Sequence, residues 1–269
     1  MRYSISPHEI QKLLDADWED PNGAIYVWDD LTMREAEQSP FFRNARTLLN
    51  ALNESGGTKA TEAGNLNRKF VAEMFEQFSI RPDIVESIRA VNKVINEEDV
   101  WDLHINRVVL ELAGLIRRNR GKFKVIQKRS HLIEDDNAGE LYRLLFHTFF
   151  RRFNLAYLDR FTEAPFIQQA VAVSLFMVSR LMNQWEFVED VAPALFLEQV
   201  QEQIPVSIYS DHTGILAYSR IIRPLIQFGL LEGREQDVSW LDTQLRKTDL
   251  FDRVLKLNVE VTASEGYLH

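Results

Sequence analysis

Two glycines constrain this chain more than any other residues. In "LELAGLIRRNRGKFKVIQKRSHLI", Leu110 to Ile133, a run with apolar residues at helical spacing ends at Ala113-Gly114, and from Leu115 onward the stretch has no acid. Glycine enters left-handed backbone without steric cost, so Gly114 predicts a helix C-terminus rather than a continuation. Leu115-Ile116-Arg117-Arg118, then Asn119-Arg120-Gly121-Lys122, then Phe123-Lys124-Val125-Ile126 predicts strand, tight turn, strand. The same order recurs at Gly229. Ala217 to Phe228 is an apolar-rich helix, Leu230-Leu231-Glu232 continues as strand, residues 233–243 loop, and Leu245, Arg246 and Lys247 return to a Thr248-capped helix, "TDLFDRVLKL". The spacing predicts one architecture used twice, with Pro224 kinking the second helix because it lacks a backbone donor.

Upstream of Gly114 the signals are local and regular. Ser6-Pro7-His8-Glu9 predicts a capped helix to about Asp15, with Glu9 reaching back to the cap. Ile25 to Trp28 follows the turn signal Pro21-Asn22-Gly23 as a short strand, and residues 1–38 are taken as an irregular acidic arm. Ser39-Pro40 opens a helix with Phe41, Phe42, Ala45, Leu48, Leu49 and Leu52 on one face, stopped by Gly56-Gly57. Thr58 to Thr61 is a short strand, Asn65 or Asn67 caps the next helix, Pro82 to Ile95 forms another, and from Trp101 the residues Leu103, Ile105, Val108, Val109, Leu112, Leu115 and Ile116 give a further helix with Gly114 at its C-terminus, leading into the hairpin. Leu141, Leu144, Leu145, Phe149 and Phe153 form one helical stripe. Phe166 to Met182 is apolar around most of its circumference and is expected as an enclosed central helix.

The order helix, short strand, helix, helix, hairpin over about residues 41–133 resembles the winged-helix family, with "LELAGLIRRNRGKFKVIQKR" similar to the end of its recognition helix running into the wing. Pro82 to Ile95 is a segment the minimal family pattern lacks. The resemblance implies a mainly α fold of two winged-helix-like units behind the acidic arm, with domains at 1–38, 39–138 and 139–269. A looser likeness, carried by "GNLNRKFV" and "ELAGLIR", joins the chain to uncharacterised bacterial proteins over most of residues 41–260 and implies no function.

Charge places the candidate site. Arg117, Arg118, Arg120, Lys122, Lys124, Lys128 and Arg129 are drawn from only 31 Lys and Arg set against 40 Asp and Glu, a net charge of −9. One basic spot therefore lies on an otherwise acidic protein. These residues suit a phosphate backbone, with the preceding helix in the major groove of duplex DNA. The bland alternative is a solvated hairpin whose charges keep an edge strand from pairing with another molecule. The second hairpin, with Glu232, Glu235, Asp237 and Asp242 against Arg234, repels phosphate. It suits packing or protein binding.

Other signals narrow the class. The absence of cysteine excludes disulfides and thiolate sites. The N-terminus lacks the apolar core of a secretory signal and Ala170 to Val178 is too short to span a bilayer, so a cytoplasmic protein off the membrane is expected. Consecutive Ser210-Asp211-His212 side chains diverge and cannot form a catalytic relay; Ser210 or Asp211 is read as a helix cap. His131 and Glu134 have no further ligand nearby, His104 and His147 sit in apolar helices, and Asp15, Asp17, Glu19 and Asp20 lack the glycine and terminal glutamate of a calcium loop. The aromatics in "FHTFFRRFNLAYLDRF" are read as core or a junction between units. No catalytic residue, metal site or cofactor is expected. Two functions remain: non-catalytic nucleic-acid binding through 117–129, or a protein-interaction module whose acidic segments meet a basic protein partner.

Overall fold

The computed structural model describes residues 5–161, 164–205, 212–234 and 243–260. The chain divides into two compact units, one formed by Asp29–Phe153 and the other by Met1–Trp28 with Asn154–His269. The first of these is therefore inserted into the sequence of the second.

The discontinuous unit begins with α1 (Pro7–Leu14), where Ser6 Oγ accepts the Glu9 N–H at 3.2 Å. Glu9 does not close the expected capping box; its carboxylate pairs with Lys12 and accepts the Glu260 N–H. Strand β1 (Ile25–Val27) is wholly buried and runs antiparallel to the last described strand, Ile25 opposite Leu257. Leu13 and Trp18 are buried as well. The segment expected as an arm thus supplies core residues, Leu13, Trp18 and Ile25–Val27 among them, because each such side chain gains on the order of 1.5–3 kcal/mol by leaving water.

In the continuous unit, α2 (Met33–Ala36) carries a full capping box between Thr32 and Glu35. Ser39 caps α3 (Pro40–Glu54), which buries Phe41, Phe42, Ala45, Leu48, Leu49 and Leu52 as the periodicity predicts. Then follow β2 (Thr58–Lys59), α4 (Arg68–Phe75), α5 (Pro82–Val91), α6 (Trp101–Leu112), β3 (Ile116–Asn119), β4 (Lys122–Val125) and α7 (Ala138–His147). The three strands form an antiparallel sheet in the order β2-β4-β3. α6 lies against α3, and α7 continues through a π-helical turn, Thr148–Arg152, that buries Phe149 and Phe150. Phe149 meets Phe41 edge-on at 5.5 Å. Gly139 lets the 29–31 segment approach so closely that a Cβ there would sit 2.1 Å from the Asp29 carbonyl oxygen. α5 is shorter than expected and buries no residue; Ile84, Val91 and Val94 face solvent.

The remainder of the discontinuous unit comprises α8 (Phe166–Gln169), α9 (Val171–Leu181), β5 (Glu186–Phe187), α10 (Val188–Val191), α11 (Glu198–Gln201), α12 (His212–Ala217), α13 (Arg223–Gln227), β6 (Leu231–Arg234), β7 (Gln244–Lys247), α14 (Asp249–Val254) and β8 (Leu255–Leu257). The expected single helix 166–182 is broken at Ala170 (φ −91°, ψ 6°), though its α9 part is enclosed as predicted. The helix containing Pro224 passes through a π-helical turn, Tyr218–Ile222, which takes up the crowding that proline imposes on the preceding turn. Residues 255–257, expected as helix, form β8 instead, because pairing with β1 satisfies their backbone groups. Ser210, Asp211, Glu235, Asp237 and Asp242 lie outside the described residues.

The two glycines behave identically. Gly114 (φ 69°) and Gly229 (φ 74°) each close a Schellman motif, with Leu115 N–H on Leu110 O and Leu230 N–H on Leu225 O. The second sheet has the order β5-β7-β6, the same topology as the first. Thr248 precedes α14 but caps nothing there; its hydroxyl donates to the Gly229 carbonyl at 2.7 Å. The protein is mainly helical with small antiparallel sheets. Among the described residues no helix is long and apolar enough to cross a membrane.

Candidate nucleic-acid interface

The basic hairpin is built on a two-residue turn, with Arg120 at φ 49° and Gly121 at φ 72°. Positive φ at both central positions is the turn whose twist matches paired strands, and it asks an arginine to hold a conformation that L-residues seldom adopt. Pairing sets Ile116 opposite Val125, Arg117 opposite Lys124, Arg118 opposite Phe123 and Asn119 opposite Lys122. Ile116, Phe123 and Val125 are buried while Arg117, Asn119, Lys122 and Lys124 are exposed, so the pleat separates an apolar inner face from a cationic outer one. β2 extends that outer face, since Lys59 pairs with Lys122 and is exposed. Gly57 permits the approach of β4; a Cβ there would meet the Phe123 carbonyl oxygen at 2.4 Å.

The seven expected residues do not all serve the same surface. Arg117, Lys122 and Lys124 share the outer face with Lys59, and Arg120 projects from the turn. Arg118 lies across the Gly64 turn, where its Nη1 is 2.6 Å from the place a Cβ would take. Lys128 is exposed on the 3₁₀ segment Gln127–Ile133. Arg129 has structural work, donating through Nη1 to the Ala113 carbonyl at 2.7 Å and so satisfying the end of α6. Among the described residues, none of Lys59, Arg117, Arg118, Arg120, Lys122, Lys124 and Lys128 pairs with a carboxylate. The helix before the hairpin, α6, has no fully exposed residue. The hairpin and β2, rather than α6, hold the open cationic surface.

Beneath the sheet lies a buried polar knot that sequence reasoning missed. Glu97, with a fully buried side chain, accepts from the Leu66 N–H and from Arg107 Nε at 2.9 Å, and contacts His104 Nδ1 at 2.7 Å. Arg107 also pairs with Glu111 and sits 5.5 Å from the centre of the Phe123 ring. Burial raises the Glu97 pKa, but the hydrogen bond with His104 and the charge of Arg107 outweigh it and leave the carboxyl below its usual range. "GNLN" serves the same junction: Gly64 turns at φ 89°, Leu66 binds Glu97, and Asn67 caps α4 while donating to Thr58 Oγ1 and the Lys59 carbonyl. The spacing of Glu97, His104 and Arg107 is one and two helical turns or more, but Glu97 precedes α6, so no single-helix periodicity exposes the cluster.

Both quoted motifs fall within the segment that comparison with known proteins singles out. Residues 37–138 match the family described as the Y4jL N-terminal domain. The protein named "Uncharacterized protein y4jL" from Sinorhizobium fredii (strain NBRC 101917 / NGR234) is 32% identical over 85 residues, covering 32% of this chain and 39% of that protein. The chain thus spans well under half the length of this curated relative. The likeness to uncharacterised proteins expected from "GNLNRKFV" and "ELAGLIR" is supported for residues 37–138, a shorter stretch than the 41–260 expected. No solved structure matches the chain.

Proposed function

We propose that the protein is a non-catalytic nucleic-acid-binding protein in which the 29–153 unit and the discontinuous unit each carry a winged-helix-like element and the first wing grips duplex DNA. Lys59, Arg117, Lys122 and Lys124 form the contact face, with Arg120 at its tip and Arg118 and Lys128 at its margins. The carrying observation is the direct opposition of Arg117 to Lys124 and of Lys59 to Lys122 without a carboxylate. Like charges facing across strands destabilise a sheet, and a polyanion relieves that repulsion while releasing its own counterions. The order helix, strand, helices, hairpin supports the winged reading. Duplex retention measured across a salt series tests it. The wild type is expected to bind at low salt, and Lys122→Glu with Lys124→Glu to lower the affinity and flatten the salt slope by about one unit per lost phosphate contact. A wild type that fails to retain duplex DNA at low salt ends the proposal.

The alternative is a protein-interaction module that meets a basic partner. It is favoured by Asp15, Asp17, Glu19 and Asp20, which are all exposed around the buried Trp18. Neutralising these four acids without touching Trp18 would then abolish capture of the partner while leaving DNA retention unchanged.

A further inference from the structure

The second sheet carries a surface unlike the first. Register sets Glu232 opposite Arg246, and Arg234 and Phe187 opposite Gln244. Side chains two apart share a face, so Trp185 joins these residues. Both arginines lie on its indole: the guanidinium carbon of Arg246 is 4.7 Å from the ring centre and that of Arg234 is 4.0 Å away. A guanidinium laid on an aromatic ring has its plane fixed and its donor edge turned outward, ready to grip a planar oxyanion. Arg246 uses that edge already, donating through Nε and Nη2 to Glu232 Oε1, the first at 2.9 Å. Arg234 is exposed on the same ring and pairs with no carboxylate among the described residues.

We propose that this face docks an extended segment of a partner protein by receiving one of its carboxylate side chains on Arg234, with Trp185 as the platform. Three observations select that occupant. The Glu232–Arg246 pair shows that a guanidinium on this indole takes a carboxylate. β6 is an edge strand among the described residues, so an added strand can pair with its outer backbone groups and set a side chain beside Arg234. Glu232 stands on this face, whereas β2, β3 and β4 carry no acid, so a chain of phosphates is disfavoured here relative to the first sheet. The partner segment accordingly has its Asp or Glu set among neutral or basic neighbours.

The experiment follows the arginine side-chain N–H resonances of the ¹⁵N-labelled full chain, with Arg234 assigned through Arg234→Lys. Two acetylated, amidated strand-forming pentapeptides are titrated, Thr-Val-Glu-Val-Thr and its Gln counterpart, beside a short DNA duplex. The Glu peptide is expected to move the Arg234 signal and leave Arg246 in place, and the Gln peptide to move neither. Arg234→Lys keeps the charge but loses the planar fork, and is expected to weaken binding about tenfold. The site is exposed, so this variant tests binding rather than folding. No Arg234 response at millimolar Glu peptide, or an equal response to the Gln peptide, would overturn the proposal, as would a stronger response to the duplex. Charge reversal at Lys122 and Lys124 is expected to leave the titration unchanged, which separates this site from the first wing.

Discussion

Arg129 and Gly114 show how much rests on single residues at the end of α6. Arg129 belongs by composition to the basic cluster, yet its guanidinium closes the carbonyl of Ala113. Arg129→Ala is therefore expected to lower stability by about 1 kcal/mol in chemical denaturation, and to leave the salt slope of DNA binding almost unmoved, whereas Lys124→Ala does the reverse. Equal loss of slope in both variants would remove the distinction. Gly114 was legible in the sequence because its conformation follows from a missing Cβ; Arg129 was not, because the atom it serves is created by the helix ending nearby. Glu97 is a buried acid whose partners come from a distant loop, Leu66, and from α6, His104 and Arg107. Glu97→Gln leaves Arg107 with Glu111 alone as counter-charge, and a loss on the order of 1–3 kcal/mol is expected from the denaturation midpoint.

At the scale of elements, the caps and stripes of α1, α3 and α4 were readable because they depend on neighbours within a few residues. The outer sheet face was only partly readable. Lys59 lies outside the basic run, and only the register of β2 on β4 brings it beside Lys122. α5 stands apart, with Val91 81% exposed, so Val91→Lys is expected to change stability by less than about 0.5 kcal/mol in the same measurement. The buried acids make the units sensitive to pH in a defined sense. Burial works against the charged form of Glu97 and of Asp159, but His104 and Arg107 around the first, and the Arg220 hydrogen bonds around the second, hold both pKa values below their ordinary 4.5 and 3.8. A depressed carboxyl stabilises the fold fully above its ordinary pKa and ceases to do so as pH falls through the folded value. Fluorescence-monitored unfolding is expected to show stability falling on acidification below about pH 4.5, less steeply in Glu97→Gln; parallel acid profiles for the two proteins would count against the knot.

At the scale of the molecule, composition pointed to a helical protein, and repetition at Gly114 and Gly229 pointed to two related units. What the sequence hid was that one unit interrupts the other. Residues 25–27 and 255–257 carry no mutual signal, since their pairing joins positions far apart in the sequence, Ile25 to Leu257. Removing residues 1–28 is expected to abolish the cooperative melting of the discontinuous unit while the 29–153 unit still unfolds as one transition, a pattern differential scanning calorimetry resolves. Retention of both transitions would show β1 to be dispensable. The β1–β8 ladder also dictates an order of events during synthesis. The 29–153 unit is complete, and free to fold, while more than a hundred residues of its host are still to be made. Until then β1 waits as an unmatched apolar strand, so chaperone dependence should concentrate on residues 25–27 and lift only when Leu257 emerges.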